Sequence, residues 1–519
     1  MKKNMKLNGN SKNLGENKTI KSSEKQVDTK IGEVPLETIE ISKDFEKNKY
    51  ILEEKLGIKE SFDIFTRNMN FHNKKITLYF VNGLVDSAIM TQILKQLANT
   101  DRDEFVPNTL KKLLETCISH IQVELVNTIN KSCNSILSGQ LIMFIEKEDK
   151  AILIDVRNYP GRNPEEPDTE RVVRGARDGY TETLLMNTSL TRRRIRDERL
   201  RMEILQIGER SKSDICIAYL KDVADPGLVN IIKQKLKEIK IDGLPMAEKT
   251  IEEFIIGKTW NPFPLVRYTE RPDVASAHIL EGHVIIFADT SPSVIILPTT
   301  YFHHLQHAEE YRQTPVMGTY YRWIRFIGVF ISIFILPLWF LYVIEPDLIP
   351  EAISFIGPRD TSRIPIFFQF LIGEIGLDLM RMAAVHTPTP LATAMGLIAA
   401  VLIGDIAIKV GWFVPEVILY LAAAVLGMYS TPSYELSLAN KLVRLLLLFS
   451  VYLFKVPGFF FGTTIIIIVL ASTRSLNTPY LWPFIPFNLQ GFIGVLVRKS
   501  IPTMNRRPSI VHPQNQSRQ

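Results

Sequence analysis

Glu374, Asp378 and Arg381 stand at positions i, i+4 and i+7 of an otherwise apolar stretch. At 100° per residue they fall within about 60° of one another on a helix, opposite Phe368, Ile375 and Leu379. Ionisable groups at membrane depth are costly and face a bundle interior or water, so these three and Asp405 are the first candidates for function. A carboxylate repeated by symmetry around an oligomer attracts cations and can line a pore. The plainer alternatives are an interfacial helix for the first three and a span end for Asp405.

Arg192, Arg193, Arg194, Arg196, Arg199 and Arg201 form a dense basic cluster. Nucleic acid, anionic lipid and acidic protein surfaces all use such clusters. No aromatic interleaving or nucleic-acid module accompanies this one, so the favoured reading is salt bridging to Glu165, Glu166, Asp168 and Glu170. Arg174, Arg192, Arg193, Arg194 and Arg196 are then candidates for interdomain or partner contacts, and nucleic acid is not expected. His303 and His307 are an i, i+4 pair beside His304 on an expected helix. With no further Cys or His ligand nearby, a polar juxtamembrane helix is preferred over a metal site. Phosphate-loop, dinucleotide, zinc-protease and nucleophile-elbow motifs are all missing, so neither an enzyme nor a cofactor is expected.

These residues belong to two unlike halves. The chain has 519 residues and a net charge of +6; residues up to 322 are charge-rich, whereas 323–497 hold long apolar runs. Cys117, Cys133 and Cys216 match no zinc or redox spacing, which excludes a disulfide scaffold and favours a reducing compartment. The first 30 residues carry eight Lys against three acidic residues and no long apolar run. That composition implies no secretory signal and a disordered basic tail over 1–50.

The expected fold is α+β for the soluble region, as two small α/β units over 51–186 and 187–322, followed by an all-α transmembrane domain over 323–497 and a basic cytoplasmic tail over 498–519. In the first unit, strands are predicted at 76–82, 121–126, 140–146 and 151–156, with a helix over 85–98. After Val156, a segment rich in Pro, Gly and charge reads as an ordered connection. The second unit is expected to open with a helix from Asn187 to about Glu209, then a strand over 214–220. Helices follow over 228–239, capped at Asp225-Pro226, and over 247–256. Strands 284–288 and 294–297 bracket the Asp289 to Ser293 turn as a hairpin. No internal repeat of 20 to 50 residues is evident.

Membrane spans are predicted at 324–344, 391–410, 412–429 and 442–472. The last is interrupted at Lys455-Val456-Pro457-Gly458 and reads as one long kinked span, with two short re-entrant halves as the alternative. The charged stripe lies on an amphipathic helix over 364–384. If that helix does not cross, four spans return the C-terminus to the cytoplasm, where Arg498, Lys499, Arg506 and Arg507 satisfy the positive-inside rule.

Several segments together resemble the GerA family of spore germination proteins, the A subunits of nutrient germinant receptors and their relatives. They run from about residue 60 to residue 490: VNGLVD from Val81, EPDTERVVRGARDGYTETLLMNTSLTRRRIRDERL from Glu166, and ADTSPSVIILPTTYFHHLQHAEEY ending at Tyr311. IGEIGLDLMR from Ile372, STPSYELS from Ser430 and LASTRSLNTPYLWP from Leu470 complete the set. Receptor subunits usually place Asp-Gly before the hairpin proline, whereas Asp289 is followed here by Thr290-Ser291-Pro292. This and HHLQHAEEYRQTP resemble a branch outside the standard receptor operons, which weighs against direct nutrient binding. The resemblance implies a multi-pass protein of the endospore inner membrane, with its N-terminal region and C-terminus on the spore-core side. It further implies a homo-oligomer working with other spore-membrane germination proteins and passing small cations across the lipid bilayer early in germination. A non-conducting scaffold for such proteins is the alternative.

Overall fold

The structure, a computed structural model, describes residues 39–71, 74–100, 109–118, 120–159, 170–258, 260–348, 355–359, 362–386, 396 and 406–518. Helix α1 (Phe45–Leu56) starts inside the stretch that composition assigns to the tail, and residues 1–38 lie outside the described residues. Asp44 caps it by accepting from the Lys47 N–H, and Gly57 ends it at φ 62°. Composition averaged over the tail hides this cap.

The first sheet has the order β1 (Ile64–Phe71), β2 (Lys74–Val81), β4 (Leu141–Ile145), β5 (Ala151–Ile154), β3 (Val123–Val126), each neighbour antiparallel. Strands β4 and β5 are buried throughout, so they read in sequence as unbroken apolar runs. Helix α2 (Ser87–Asn99) packs Met90, Ile93 and Leu97 against Ile76, Leu78, Met143 and Ile152. Helix α3 (Ile129–Leu137) lies against α1, and the Tyr79 hydroxyl donates to Glu53 at 2.9 Å.

The second sheet repeats that strand order: β6 (Leu200–Ile207), β7 (Ser213–Leu220), β9 (Val284–Ala288), β10 (Val294–Leu297), β8 (Arg267–Thr269). Helices α4 (Leu184–Arg194) and α7 (Pro272–Glu281) share one of its two apolar cores with Met202, Cys216 and Phe287. Helices α5 (Pro226–Lys237) and α6 (Ala247–Ile256) share the other with Ile217, Ile286 and Ile295. The expected helix over 187–209 is corrected here. It stops at Arg194, where three arginines in the last turn suit the negative end of its dipole, and residues 200–207 form β6 with full antiparallel pairing to β7.

The C-terminal half is helical. After α8 (Ala308–Arg312) come α9 (Pro315–Ile344), α10 (Ile366–His386), α11 (Pro415–Tyr429), α12 (Tyr434–Ser472) and α13 (Leu489–Leu496). Among the described residues, α9 and α12 are long and apolar enough to cross a membrane, at 30 and 39 residues. The predicted span 391–410 lies, apart from 396 and 406–410, outside the described residues.

Helix α12 is not one kinked rod. Lys455 takes φ 54° and ψ −129°, followed by Pro457. A straight helix would separate Ser450 from Gly458 by about 12 Å, yet the Ser450 hydroxyl donates to the Gly458 carbonyl at 2.7 Å. A Cβ on Gly462 would lie 2.9 Å from Leu447. Limbs 434–454 and 456–472 therefore fold back on each other. The Asn261 amide reaches Thr473 at the end of the second limb, and Lys455 at the turn meets Glu345 at the far end of α9, 2.7 Å away.

Helix α11 runs antiparallel to α9, with Gly427 on Gly328 at one end and Trp339 on Tyr420 at the other. A Cβ on Gly427 would stand 2.3 Å from the Gly328 carbonyl oxygen, the close approach that small residues allow between membrane helices. Residues 498–518 dock on the second sheet unit. Gln514 donates to the carbonyls of Lys221 and Ala224, and Ile510 and Val511 are buried.

Candidate functional site

Gln369 fixes the base of the site. Its amide nitrogen donates to Ser362 Oγ and the Ile364 carbonyl, while its oxygen accepts the Val414 N–H at 2.9 Å, tying the starts of α10 and α11 together. Phe367 stacks on Tyr452 of α12 at 4.0 Å between ring centroids. These contacts set the register in which the polar face of α10 meets the first limb of α12.

On that face, Glu374 is 2% exposed and sits between two cations of α12. Lys441 Nζ is 3.1 Å from its Oε2, and Arg444 Nη2 is 2.6 Å from its Oε1. Lys441 also bonds the Asp378 carboxylate, whose side chain remains 46% exposed. Arg444 Nη1 donates to the Ser332 carbonyl of α9 at 2.6 Å, so three helices converge here. Arg444 is ten residues, about 15 Å, from either end of a limb about 30 Å long, which puts it at mid-depth of a bilayer-sized element.

Two carboxylates against two cations make the cluster neutral. Both Glu374 oxygens are met by these cations, while Arg444 Nε is buried without a partner. Buried polar atoms in that condition call for a water or a partner group. Arg381 lies a turn nearer the soluble units, with Nη2 3.2 Å from Met428 Sδ and Nη1 buried. Asp405 lies outside the described residues.

Sequence reasoning singled out the acidic side of this cluster and missed Lys441 and Arg444. The signal was present, since Arg444 interrupts an apolar run as Glu374 does and carries the opposite charge.

The basic cluster at 192–201 is an internal tie. Arg192, fully buried, makes a bidentate pair with Asp63 at 2.7 and 3.1 Å, joining the two sheet units. Arg194 pairs with Asp178, Arg199 with Asp197 and Asp222, and Arg201 with Glu60. Arg193 lies over the Tyr159 ring, Arg196 donates to the Arg193 carbonyl, and Arg174 is exposed. Of the expected acidic partners, Glu165, Glu166 and Asp168 lie outside the described residues. Glu170 instead accepts from Thr269 Oγ1 and the Glu270 N–H. Charge counting found the pairing habit but could not identify partners distant in sequence.

The histidines are also corrected. His303 and His304 sit in a short 3₁₀ turn, and His307 is the N-cap of α8, so they do not share a helix face. Nor does the turn face headgroups, because His303 and His304 are buried. His303 packs with His278 and His283, ring centroids 4.9 to 6.0 Å apart. Burial drives their pKa values down, His283 to about 4, with Arg267 adding repulsion. Among the described residues no group of three His, Cys, Asp or Glu is arranged to hold a metal.

A second buried carboxylate links the soluble part to α9. Glu310, fully buried, accepts from Arg322 Nε at 2.5 Å and from Arg325. Arg322 Nη1 donates to the Gly494 carbonyl at 2.7 Å, near the end of α13. The start of α9 is thus held by α8 and α13 at once.

The chain is 53% identical over 483 residues to stage V sporulation protein AF of Bacillus subtilis (strain 168), covering 93% of this chain and 98% of that one. It is 30% identical over 452 residues to the uncharacterized membrane protein YfkQ of the same organism, covering 86% and 87%. The crystal structure of the N-terminal domain of the A subunit of the Bacillus megaterium spore germinant receptor GerK3 matches with a TM-score of 0.40 and 25% identity, over 50% of this chain and 96% of that one. Residues 51–510 match the family described as Bacillus/Clostridium GerA spore germination protein, and the chain belongs to that family.

Proposed function

We propose that this spore germination protein is a multi-pass subunit of an oligomeric assembly that passes small cations across the spore inner membrane, working with other germination proteins. The observation that carries the reading is the unequal environment of the two carboxylates of α10. Glu374 is enclosed and neutralised inside the bundle, whereas Asp378, one turn away, keeps 46% of its side chain exposed among apolar surface residues such as Ile375 and Leu379. A carboxylate on that face is costly against lipid and suits a surface where copies meet around water. In this reading Glu374, Lys441, Arg444 and Arg381 position α10, and Asp378 meets the ions.

The helix directions support a multi-pass arrangement: α9 leads away from the soluble units, α10 and α11 both run toward them, with 387–395 and 397–405 outside the described residues, and the limbs of α12 go out and back. The C-terminal segment docks on the second sheet unit, which supports the reading that both soluble ends share one side. That side is the spore core if the positive-inside rule holds for Arg498, Lys499, Arg506 and Arg507.

The scaffold reading draws on the complete internal pairing of Glu374, which leaves that residue no free charge for ions. Cation flux from liposomes holding the purified full-length chain separates the two. Conduction supports the channel subunit, and none from an assembled oligomer supports the scaffold.

A further inference from the structure

A cavity of about 390 Å³ opens between the second sheet unit, α13 and the C-terminal segment, large enough for a small ligand. Lys499, Arg506 and Arg507 line it, with Trp482, Tyr311 and His303. Among the described residues, Lys499 and Arg506 make no ion pair. Arg507 donates from Nε to the Leu280 carbonyl and from Nη1 to the carbonyls of Asn515 and Ser517. The carboxylate on the wall, Glu281, is held by Arg518 at 3.3 Å, and burial raises its pKa toward the neutral form. His303 Nδ1 accepts the Thr300 N–H at 3.3 Å, which leaves the proton of the neutral ring on Nε2 as a donor. The lining therefore offers cations and donors with little to answer them.

We infer that this cavity binds a phosphate-bearing anion, either the headgroup of an anionic lipid or a free phosphate. Basic pockets near the cytoplasmic ends of membrane helices suit such headgroups. Apolar surface for a lipid is present on the same helix: Leu489 and Ile493 of α13, and Val497 just after it, are exposed, and Trp482 packs so closely on Gly491 that a Cβ there would lie 2.5 Å from its ring. The lipid source rests on the membrane reading above, whereas the free-phosphate source does not.

Native mass spectrometry of the full-length chain in detergent tests this, with phosphatidylglycerol, phosphatidylcholine and inorganic phosphate as probes. Lys499→Gln with Arg506→Gln is compared with the wild type, and Lys499→Gln alone is the milder variant. Equal melting temperatures show that folding is intact. The expected result is preferential binding of phosphatidylglycerol, weakened about 30-fold in the double variant. Binding of inorganic phosphate alone, also lost in the variant, supports the anion site and assigns it to a soluble ligand. Equal binding of both lipids with no phosphate binding, or binding unchanged in the folded double variant, overturns the inference. The readout is independent of conduction, so it can fail while the channel reading stands.

Discussion

Glu374 of α10 and Arg444 of α12 meet at 2.6 Å at mid-depth of the helical bundle, and Lys441 joins that pair to Asp378 on the bundle surface. Glu374 is therefore enclosed between two cations, whereas Asp378 shares only Lys441 and keeps 46% of its side chain exposed, although both lie on the same stripe of one helix.

Replacing Glu374 with Gln leaves Lys441 and Arg444 enclosed with half their countercharge. A loss of about 3–5 kcal/mol is expected, read as a lower melting temperature and a broadened oligomer peak in detergent. Adding Lys441→Met to that variant restores part of the loss, and a double-mutant cycle measures the coupling. Independent, additive effects would mean that the pair does not act as a unit.

The Arg192 and Asp63 pair makes a similar prediction for the soluble part. Arg192→Ala strands a buried carboxylate between the sheet units and costs about 3–5 kcal/mol. Arg174→Ala, on the surface, should leave the melting temperature unchanged. Limited proteolysis that cuts between the units only in the Arg192 variant would support its role as their tie.

Acid should loosen the second unit through its histidines. An unfolded histidine titrates near 6.5, while His283 is held down to about 4 by burial and by Arg267. The folded chain then binds fewer protons than the unfolded chain between those values. This share of stability is complete above about pH 6.5 and is lost as pH falls through about 4. Glu170 and Glu281, raised by burial, act in the opposite direction. Comparison of wild type with His283→Gln isolates the histidine: the wild-type melting temperature falls more steeply over this range. Parallel curves would remove His283 from the acid response.

The reversal in α12 predicts which positions share a side. A cysteine at Lys455 should react with an impermeant reagent from the side opposite to one at Arg518, and a cysteine at Ser472 should not share the Lys455 side. Labelling of Ser472 and Lys455 from the same side would restore the single kinked span.

Local pattern was legible where a segment's burial follows its own period. Ala247–Ile256 and the hairpin around Asp289 have the bounds that spacing and turn residues dictate. Residues 200–207 were misassigned because arginine-rich helix and strand abut with only a short turn at Asp197, and pairing with β7 decides the outcome. The repeated strand order of the two sheets is invisible at a period of 20 to 50 residues, because β6 follows β1 by more than a hundred. In the site, the stripe on α10 was read from one helix. Its partners Lys441 and Arg444 come from a helix whose reversal at Lys455 is set by tertiary contacts with Glu345 and Ser450.

The most direct test compares Asp378→Asn with wild type in liposomes, using the purified full-length chain and measuring cation flux alongside oligomer size. If Asp378 meets the ions, the variant assembles normally and its cation flux falls about tenfold or loses its selectivity over anions. Flux and selectivity unchanged in a correctly assembled Asp378→Asn oligomer would contradict the assignment and leave α10 as a packing element.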